Sequence, residues 1–424
     1  MVVVCYHEKA RGAPRSRHAM FTDEVNPDKV TSADIVVSIP SYNEAENIAF
    51  PTTKASEGLV QYFGHKKAVI INCDNNSNDG TREAFLNTPT EVPKIYISTP
   101  PGVKGKGNNF KNLFRKVVEL KADSVVVVDA DLKSITPQWI KHLGEPLEND
   151  FGFVAPLYVR HKYDGTITNA IAYPLTRCLY GRRVRQPIGG DFGFSGSLAE
   201  IYALSETWSD HIANFGIDIW MTTLAMNNSI PICQAFMGRP KIHKPKDPGA
   251  ALGLMFQQVV GTIFDMMITY APFWKRVRWS KPTAIYGFGL GEVEMPPPVN
   301  VDQAKLYQKF VDGFDQEMDL WREVFAGEVL NKLKEIRGLS QDKFDFPTIL
   351  WVKVLFEMAV GYKNNVGGNC QDLLDSLIPL YFGKTLSFVK KTERMSIQQA
   401  EEFIENEAVV FEESKPYLIE NWPV

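Results

Sequence analysis

Four consecutive valines that lead into two acids are the feature that most restricts how this chain folds. The stretch VVVVDAD occupies residues 125–131, and its apolar part is typical of a strand that is buried on both faces. An unpaired carboxylate inside such a strand would cost several kcal/mol or lose its charge. The strand must therefore leave the core at Asp129 and Asp131, or a positive group must meet the two acids there.

Similar apolar runs occur earlier in the chain and alternate with helical patterns. A helical face formed by Phe110, Leu113, Val117 and Leu120 precedes the valine run. This alternation predicts an α/β fold with a mostly parallel, doubly wound sheet, in which ligands bind beyond the carboxyl ends of the strands. The predicted strands are ADIVVSIP (33–40), KAVIINCDN (67–75), KIYIST (94–99) and DSVVVVDAD (123–131).

Composition excludes several classes of protein. The 424 residues are 44% hydrophobic and 23% charged with a formal net charge of −4, so we expect no general attraction to nucleic acid or anionic lipid. The five cysteines are scattered without a Cys-x-x-Cys pair, which is typical of a reducing compartment. No apolar core of signal-peptide length follows the first few residues. The apolar segment 250–274 contains Gln257, Gln258 and Asp265, which favours an amphipathic or buried helix over a membrane span. We expect a cytoplasmic protein without stable membrane insertion.

Changes in pattern divide the chain into three predicted regions. Residues 1–32 form a polar N-terminal extension, and 33–250 contain the strand-rich domain. Residues 251–424 form a mainly helical region, in which 301–336 and 396–415 have helical periodicity. This region offers a surface for a homodimer.

Two polar segments follow predicted strands at the expected ligand edge. In SIPSYNEAENI (38–48), Pro40, Tyr42 and Glu44 are placed to flank a flat base and bind a ribose. The alternative for this segment is a strand-to-helix connection capped by Asn43. Asp74 ends the next strand, where it could accept a hydrogen bond from a base. The adjoining Ser77, Asp79 and Thr81 are interpreted as structural.

A Gly-Lys-Gly sequence opens the predicted helix. Gly105 and Gly107 around Lys106 indicate a backbone nest for phosphate with an added ammonium group. The spacing is not that of a P-loop, because no Ser or Thr follows the lysine.

The two acids after the valine run lie on the same side of an extended chain. Asp129 and Asp131 therefore favour a divalent cation, Mg²⁺ or Mn²⁺, which carries a phosphate substrate. The alternative for Asp131 is a helix N-cap or a turn.

Taken in order, SIPSYNEAENI, DNNSNDGT, GKG and DAD resemble the nucleotide-sugar-binding half of GT-A fold glycosyltransferases over residues 33–245. This resemblance implies a Rossmann-like sheet and a donor site that includes Asp129 and Ala130, with a cation on the donor diphosphate. Three later segments resemble a retaining group, the mannosylglycerate, glucosylglycerate and glucosyl-3-phosphoglycerate synthases. These segments are QPIGGDFGFSG (186–196), NFGIDIWM (214–221) and RPKIHKP (239–245).

The resemblance also implies roles for single residues. His243 would join Asp131 as a metal ligand, although an exposed loop histidine is the alternative. Lys241 would meet a diphosphate oxygen, and Asp218, unless it caps a helix, would contact the transferred sugar. Gly189 and Gly190 would let the backbone approach the substrate.

The acceptor segment YVRHKYDGTITNAI (158–171) places Arg160 and Thr168 where the mannosylglycerate synthases bind a carboxylate. Thr166 stands where the phosphate-requiring relatives have an arginine. Cations for a phosphate could come instead from Arg182, Arg183 or Arg185. The predicted reaction is therefore retaining transfer of a hexose from a nucleoside-diphosphate sugar to glycerate or 3-phosphoglycerate.

Two other reactions use similar features. An inverting family with acceptors such as a polyprenyl phosphate would employ Asp191 or Asp218 as a general base. A nucleotidyltransferase would need a Gly-rich loop with Arg and Lys after the first strand, and SIPSYNEAEN contains none.

Overall fold

The computed structural model describes residues 23–242, 248–287 and 293–423. Across these residues the strands form one nine-stranded sheet in the order β1-β4-β3-β2-β5-β7-β6-β8-β9. The strands are β1 (Asp23–Val25), β2 (Ile35–Ser41), β3 (Ala68–Asp74), β4 (Lys94–Ser98), β5 (Ser124–Val127), β6 (Phe153–Leu157), β7 (Phe192–Ser195), β8 (Ile232–Phe236) and β9 (Ala284–Tyr286).

Helices surround this sheet and form most of the C-terminal part. The helices beside the sheet are α1 (Ala49–Phe63), α2 (Thr81–Asn87), α3 (Lys106–Leu120), α4 (Pro137–Gly144), α5 (Tyr173–Tyr180), α6 (Gly196–Leu204), α7 (Ile217–Asn227), α8 (Pro248–Thr269) and α9 (Ala271–Trp274). The C-terminal helices are α10 (Gln303–Val324), α11 (Gly327–Arg337), α12 (Thr348–Lys363), α13 (Cys370–Thr392), α14 (Ile397–Glu413) and α15 (Lys415–Asn421). A π-helical turn, Thr168–Ala172, leads into α5.

The predicted α/β class with a mostly parallel sheet is confirmed. Strand β2 pairs in parallel with both β3 and β5, and β3 pairs in parallel with β4. Strand β7 is antiparallel to β5 and β6. The valines of 125–128 are fully buried, as a central strand covered on both faces requires. The carboxyl ends of β2, β3 and β5 therefore meet at one edge of the sheet.

Helix α3 covers one face of the sheet with the side chains that its periodicity predicts. Phe110, Leu113, Val117 and Leu120 are all buried in the same cluster as the valines at 125 and 127. The helix ends at Lys121, whose left-handed backbone lets its amide bond to the carbonyl groups of the last turn. Lys106 therefore lies at the start of a helix that is fixed to the sheet.

The sheet crosses both predicted region boundaries. Strand β1, from the predicted extension, pairs with β4, and β9, from the predicted helical region, pairs with β8. Helix α8 is bound on two sides, because Gln258 accepts a hydrogen bond from the Phe215 amide and Asp265 accepts one from Tyr362. Among the described residues, no helix is long and apolar enough to cross a membrane.

A buried arginine joins the sheet domain to the C-terminal helices. The Arg177 side chain on α5 is 2% exposed, and it donates to Glu405 at 2.6 Å and to Glu412 at 2.6 Å, both on α14. Because the Glu412 side chain is also buried, each charge depends on the other for compensation.

We expect Arg177→Ala to lower the free energy of unfolding by about 3–5 kcal/mol, because it leaves Glu412 buried without its partner. The matched control is Arg322→Ala, which removes an exposed pair with Asp319 and should cost less than about 1 kcal/mol. Urea unfolding followed by circular dichroism measures both changes. Equal losses in the two variants would contradict the structural role of Arg177.

Candidate active site at the carboxyl ends of the strands

The loop after β2 is held by the loop after β3. Ser77, Asp79 and Thr81 accept hydrogen bonds from the amides of residues 43–45 at 2.8–3.1 Å, which agrees with their predicted structural roles. Helix α1 begins only at Ala49 and has no side-chain cap, so the alternative in which Asn43 caps this helix is wrong.

The three predicted base and ribose residues differ in exposure. Pro40 is buried within β2, Tyr42 is exposed, and Glu44 is half-buried. Lys104 lies over the Tyr42 ring at 4.8 Å and donates to its hydroxyl at 2.6 Å. The exposed aromatic face of Tyr42 therefore lies at the ligand edge of the sheet, beside a cation.

Asp74 is bound by protein groups at the end of β3. It is 1% exposed and accepts from the Ser41 and Ser77 hydroxyls, the Ser77 amide and the Tyr96 hydroxyl at 2.7–3.0 Å. These bonds fix the start of the following loop. A contact from Asp74 to a nucleotide base would have to replace one of them.

The glycines around Lys106 serve a different purpose from the predicted phosphate nest. The amides of Gly107 and Asn108 donate to the carbonyls of Asn214 and Ala213, and the Gly105 amide donates to Asn75. At Gly105, where φ is +115°, a Cβ atom would lie 2.6 Å from the Asn214 side chain. The glycines thus permit close packing of the loop before α7, and these amides are not free to bind phosphate.

The Lys106 ammonium group lies between two carboxylates. Its Nζ is 3.1 Å from Asp129 Oδ1 and 3.2 Å from Asp218 Oδ1. Asp218 lies in the first turn of α7 without capping it, since the helix has no side-chain cap. The Lys106 ammonium is therefore paired with two protein carboxylates, and the capping alternative for Asp218 is wrong.

A second lysine completes the cluster from the segment after β8. Lys241 Nζ lies 2.6 Å from Asp129 Oδ2, 3.0 Å from Asp191 Oδ2 and 2.9 Å from the Gly189 carbonyl. Gly190 makes room for this contact, because a Cβ there would lie 2.5 Å from Lys241 Nζ. Gly190 also has a φ of +88°, which favours glycine.

Asp191 is the most deeply buried acid of the cluster. It is 0% exposed, accepts from the Asp129 amide at 2.8 Å, and receives a further hydrogen bond from the Tyr158 hydroxyl. Tyr158 was missed by sequence analysis, although an aromatic hydroxyl directly after strand β6 and before Arg160 is a usable signal. We define the buried charge cluster as Lys106, Asp129, Asp191, Asp218 and Lys241.

Burial and ion pairing shift the pKa values of these groups in opposite directions. Burial raises the pKa of the Asp191 and Asp218 carboxyls, while Lys241 and Lys106 respectively oppose that rise. Burial alone would lower the pKa of Lys106 and Lys241, but the neighbouring carboxylates outweigh it and raise the pKa of both. Both lysines therefore stay protonated.

Asp131 stands apart from the cluster. It is 7% exposed, and no hydrogen bond or ion pair of its carboxylate is found within the described part of the chain. It caps no helix, since α4 begins at Pro137 after Thr136, so the capping alternative is wrong, whereas the turn alternative agrees with the turn at residues 130–131. Neighbouring Ala130 is buried. His243, the predicted second ligand, lies outside the described residues, which contain no group of three or more metal-binding side chains.

The predicted acceptor residues flank one glycine. A Cβ at Gly165 would lie 2.6 Å from Arg160 Nη1 and 3.7 Å from Thr168 Oγ1. The Arg160 guanidinium lies over the Tyr158 ring at 5.5 Å, and its buried Nε has no hydrogen-bond partner. The structure thus brings Arg160 and Thr168 together beside an aromatic ring that also contacts Asp191.

The three alternative arginines do not form one site. Arg185 is bound by Glu401 at 2.8 Å and by Asn169 at 2.8 Å, so it is committed to the C-terminal helices. Arg182 and Arg183 lie after the end of α5, on an extended segment that pairs with Lys281. They are therefore not on a helix surface. The predicted use of Arg185 for an acceptor phosphate is therefore not favoured by its contacts.

Part of this site lies in a region that matches a known family. Residues 36–204 match the model of the family "Glycosyl transferase family 2". The match contains Lys106, Asp129, Asp131, Arg160 and Asp191. The predicted resemblance to glycosyltransferases is confirmed.

The individual relatives have more specific names than the family. The chain is 23% identical over 198 residues to the mannosylglycerate synthase of Rhodothermus marinus, a match that covers 42% of this chain and 49% of the relative. The chain thus spans about half the length of that curated relative. A crystal structure of glucosyl-3-phosphoglycerate synthase from Mycobacterium tuberculosis, bound to Mn²⁺, UDP and glucosyl-3-phosphoglycerate, is 22% identical with a TM-score of 0.44, over 55% of this chain and 80% of that one. Its complex with Mn²⁺, UDP-glucose and phosphoglyceric acid is 21% identical with a TM-score of 0.43, over 55% and 79%.

The pairing of Lys106 with Asp218 predicts a measurable effect on the titration of the Asp218 carboxyl. We expect Lys106→Met to move the titration midpoint of Asp218 up, because burial then acts on the carboxyl without the ammonium that opposes it. Carboxyl-carbon NMR of the labelled protein measures this midpoint. The control is Lys111→Met on the same helix, whose ammonium lies over Trp208 and away from the acids. An unchanged midpoint in Lys106→Met would contradict the pairing.

Proposed function

We propose that this protein transfers a hexose from a nucleoside-diphosphate sugar to a small carboxylate acceptor of the glycerate type, with retention at the anomeric carbon. The single observation that carries the proposal is the arrangement at the sheet edge, part of which lies within the family 2 match. There, the buried carboxylate of Asp131 has no partner among the described residues, Asp129 is held by Lys106 and Lys241, and Arg160 follows the next strand along the chain. The named relative, a mannosylglycerate synthase, supports the acceptor class.

The charges at this edge support a divalent cation. The buried charge cluster has two ammonium groups and three carboxylates, and Asp131 adds a fourth. A donor diphosphate would approach a site that is already negative, which is unfavourable unless a cation intervenes. Asp131 fits as a ligand because its carboxylate has no protein partner in the described chain, whereas Asp129 is held by two lysines. His243 stays a predicted second ligand. A bound Mg²⁺ or Mn²⁺ would supply charge neutralisation at the leaving diphosphate.

The residues of this chain divide the remaining tasks. Tyr42 offers its exposed ring to a base, and Lys104 beside it adds positive charge. Lys106 and Lys241 present ammonium groups near the donor side, where negative charge grows as the diphosphate departs. Asp218, whose Oδ1 lies 3.2 Å from Lys106 Nζ, is proposed to contact the transferred sugar. Five further residues are still only predicted to line the donor or acceptor site: Pro40, Glu44, Asp74, Ala130 and Gly189.

The contacts of the acids favour retention over inversion. Asp191 takes hydrogen bonds from the Asp129 amide and Tyr158 and a close approach from Lys241, so its carboxylate is not available as a general base. Asp218 is paired with Lys106, which opposes the rise in pKa that burial causes in this carboxyl. A retaining transfer needs no strong base, because the departing phosphate can take the acceptor's proton on the same face. The rate then depends on holding the acceptor hydroxyl near the anomeric carbon.

For the cation we expect Asp131→Asn to weaken Mn²⁺ binding by about tenfold or more and to remove most activity while the fold survives, since a neutral amide is a poorer ligand. Electron paramagnetic resonance measures free Mn²⁺ directly. The matched control is Asp123→Asn, an exposed acid at the opposite end of the same strand. Full activity after metal removal by excess EDTA would show that the cation is not required.

For the acceptor we expect Arg160→Lys to lower kcat/KM for glycerate by about tenfold or more, because an ammonium cannot make the planar two-point contact with a carboxylate. The control is Arg239→Lys, which alters an exposed pair with Glu294. Assays with glycerate and 3-phosphoglycerate, and NMR of the product's anomeric centre, test the proposal further. An inverted product would contradict the retaining assignment. A far better reaction with 3-phosphoglycerate would indicate a phosphate site elsewhere.

A further inference from the structure

The segment after α5 and the segment after α9 carry several basic residues and an exposed tryptophan. The chain at 275–281, KRVRWSK, runs beside Arg182 and Arg183. Lys281 donates its amide to the Gly181 carbonyl at 3.0 Å, and the Arg183 amide donates to the Lys281 carbonyl at 3.2 Å. Arg183 Nε also donates to the Ser280 hydroxyl at 3.0 Å. We call the residues of these two segments the basic strip: Arg182, Arg183, Lys275, Arg276, Arg278, Trp279 and Lys281.

The positive charges of the basic strip are not compensated nearby. No ion pair of its six basic residues is found among the residues that the structure describes, and Arg276 bonds only to the Pro272 carbonyl. Neither 178–190 nor 271–287 contains an acid. Since the whole chain has a net charge of −4, this concentration of positive charge is a local feature.

The strip also exposes a large aromatic side chain. Trp279 is 72% exposed, although tryptophan buries more apolar surface than any other side chain when it packs. A few residues later, Ile285 on the edge strand β9 is exposed as well. Trp279 is flanked in sequence by arginine and lysine, and an exposed tryptophan among basic residues is typical of surfaces that bind at the headgroup level of a bilayer.

We propose that the basic strip docks this protein on the surface of an anionic membrane. The basic residues would face lipid phosphates, and Trp279 with Ile285 would enter the boundary between headgroups and acyl chains. The aliphatic side chain favours a bilayer over single-stranded nucleic acid, because bases stack on aromatic rings and not on isoleucine. Docking of this kind is peripheral and is compatible with the lack of a spanning helix in the described chain.

Sedimentation of the full chain with vesicles tests the proposal. We expect binding to vesicles of phosphatidylglycerol and phosphatidylcholine, weakened by added salt, and no binding to phosphatidylcholine alone. Trp279→Ala and the double variant Arg276→Ala/Arg278→Ala should each weaken the binding by about tenfold. The controls are Leu204→Ala, which removes an exposed apolar side chain elsewhere, and Lys305→Ala/Lys343→Ala, which removes two exposed charges elsewhere.

A second measurement reports on the tryptophan itself. Lipids with brominated acyl chains should quench part of the tryptophan fluorescence of the unaltered protein, and this part should be absent in Trp279→Phe. The proposal is overturned if anionic vesicles do not bind, or if the strip variants bind as well as the unaltered chain. It is also overturned if polyuridylate binds through the strip and vesicles do not.

Discussion

Two buried ammonium groups shared among three carboxylates are the interaction on which the rest of this site depends. Lys106 comes from α3 and Lys241 from the segment after β8, while Asp129, Asp191 and Asp218 come from three further elements. Any one of these charges alone would be costly to bury, so the cluster is stable only when all five segments are in place. The unusual backbone at Gly105 and Gly190 follows from this, because both positions must let a neighbouring segment approach closely.

The sheet could be predicted from the sequence because its signals are local. Apolar runs and helical periodicity depend on neighbours in the chain, and they placed β2, β3 and β4 within about two residues of their observed bounds, while the predicted strand 123–131 extends four residues beyond the end of β5. The side-chain pairing could not be predicted in the same way. Lys241 and Asp129 are 112 residues apart, and nothing in either local sequence indicates the contact. Lys106 shows both cases, since its place at a helix start was predicted and its pairing with Asp129 and Asp218 was not.

The acceptor segment depends on a part of the chain that the family match does not cover. Lys162 donates to three carbonyl groups at the end of α13, and the Thr166 hydroxyl bonds to Tyr381 on the same helix. Trp351 on α12 donates to the Ala170 carbonyl. The C-terminal helices therefore fix the backbone from which Arg160 and Thr168 project. Thr166 is engaged in this packing, which gives a physical reason why an arginine is not accommodated there.

The contacts of the site's acids bear on how the proposed reaction would proceed. A general base needs a carboxylate that can reach an acceptor proton, yet Asp191 is enclosed by donors and Asp218 is paired with an ammonium group. Among the described residues, Asp131 and Arg160 Nε have no hydrogen-bond partner. Under the proposed function they would hold a cation and an acceptor carboxylate. Under the proposed function, the pairing of both Asp191 and Asp218 suits a transfer in which the leaving phosphate accepts the proton.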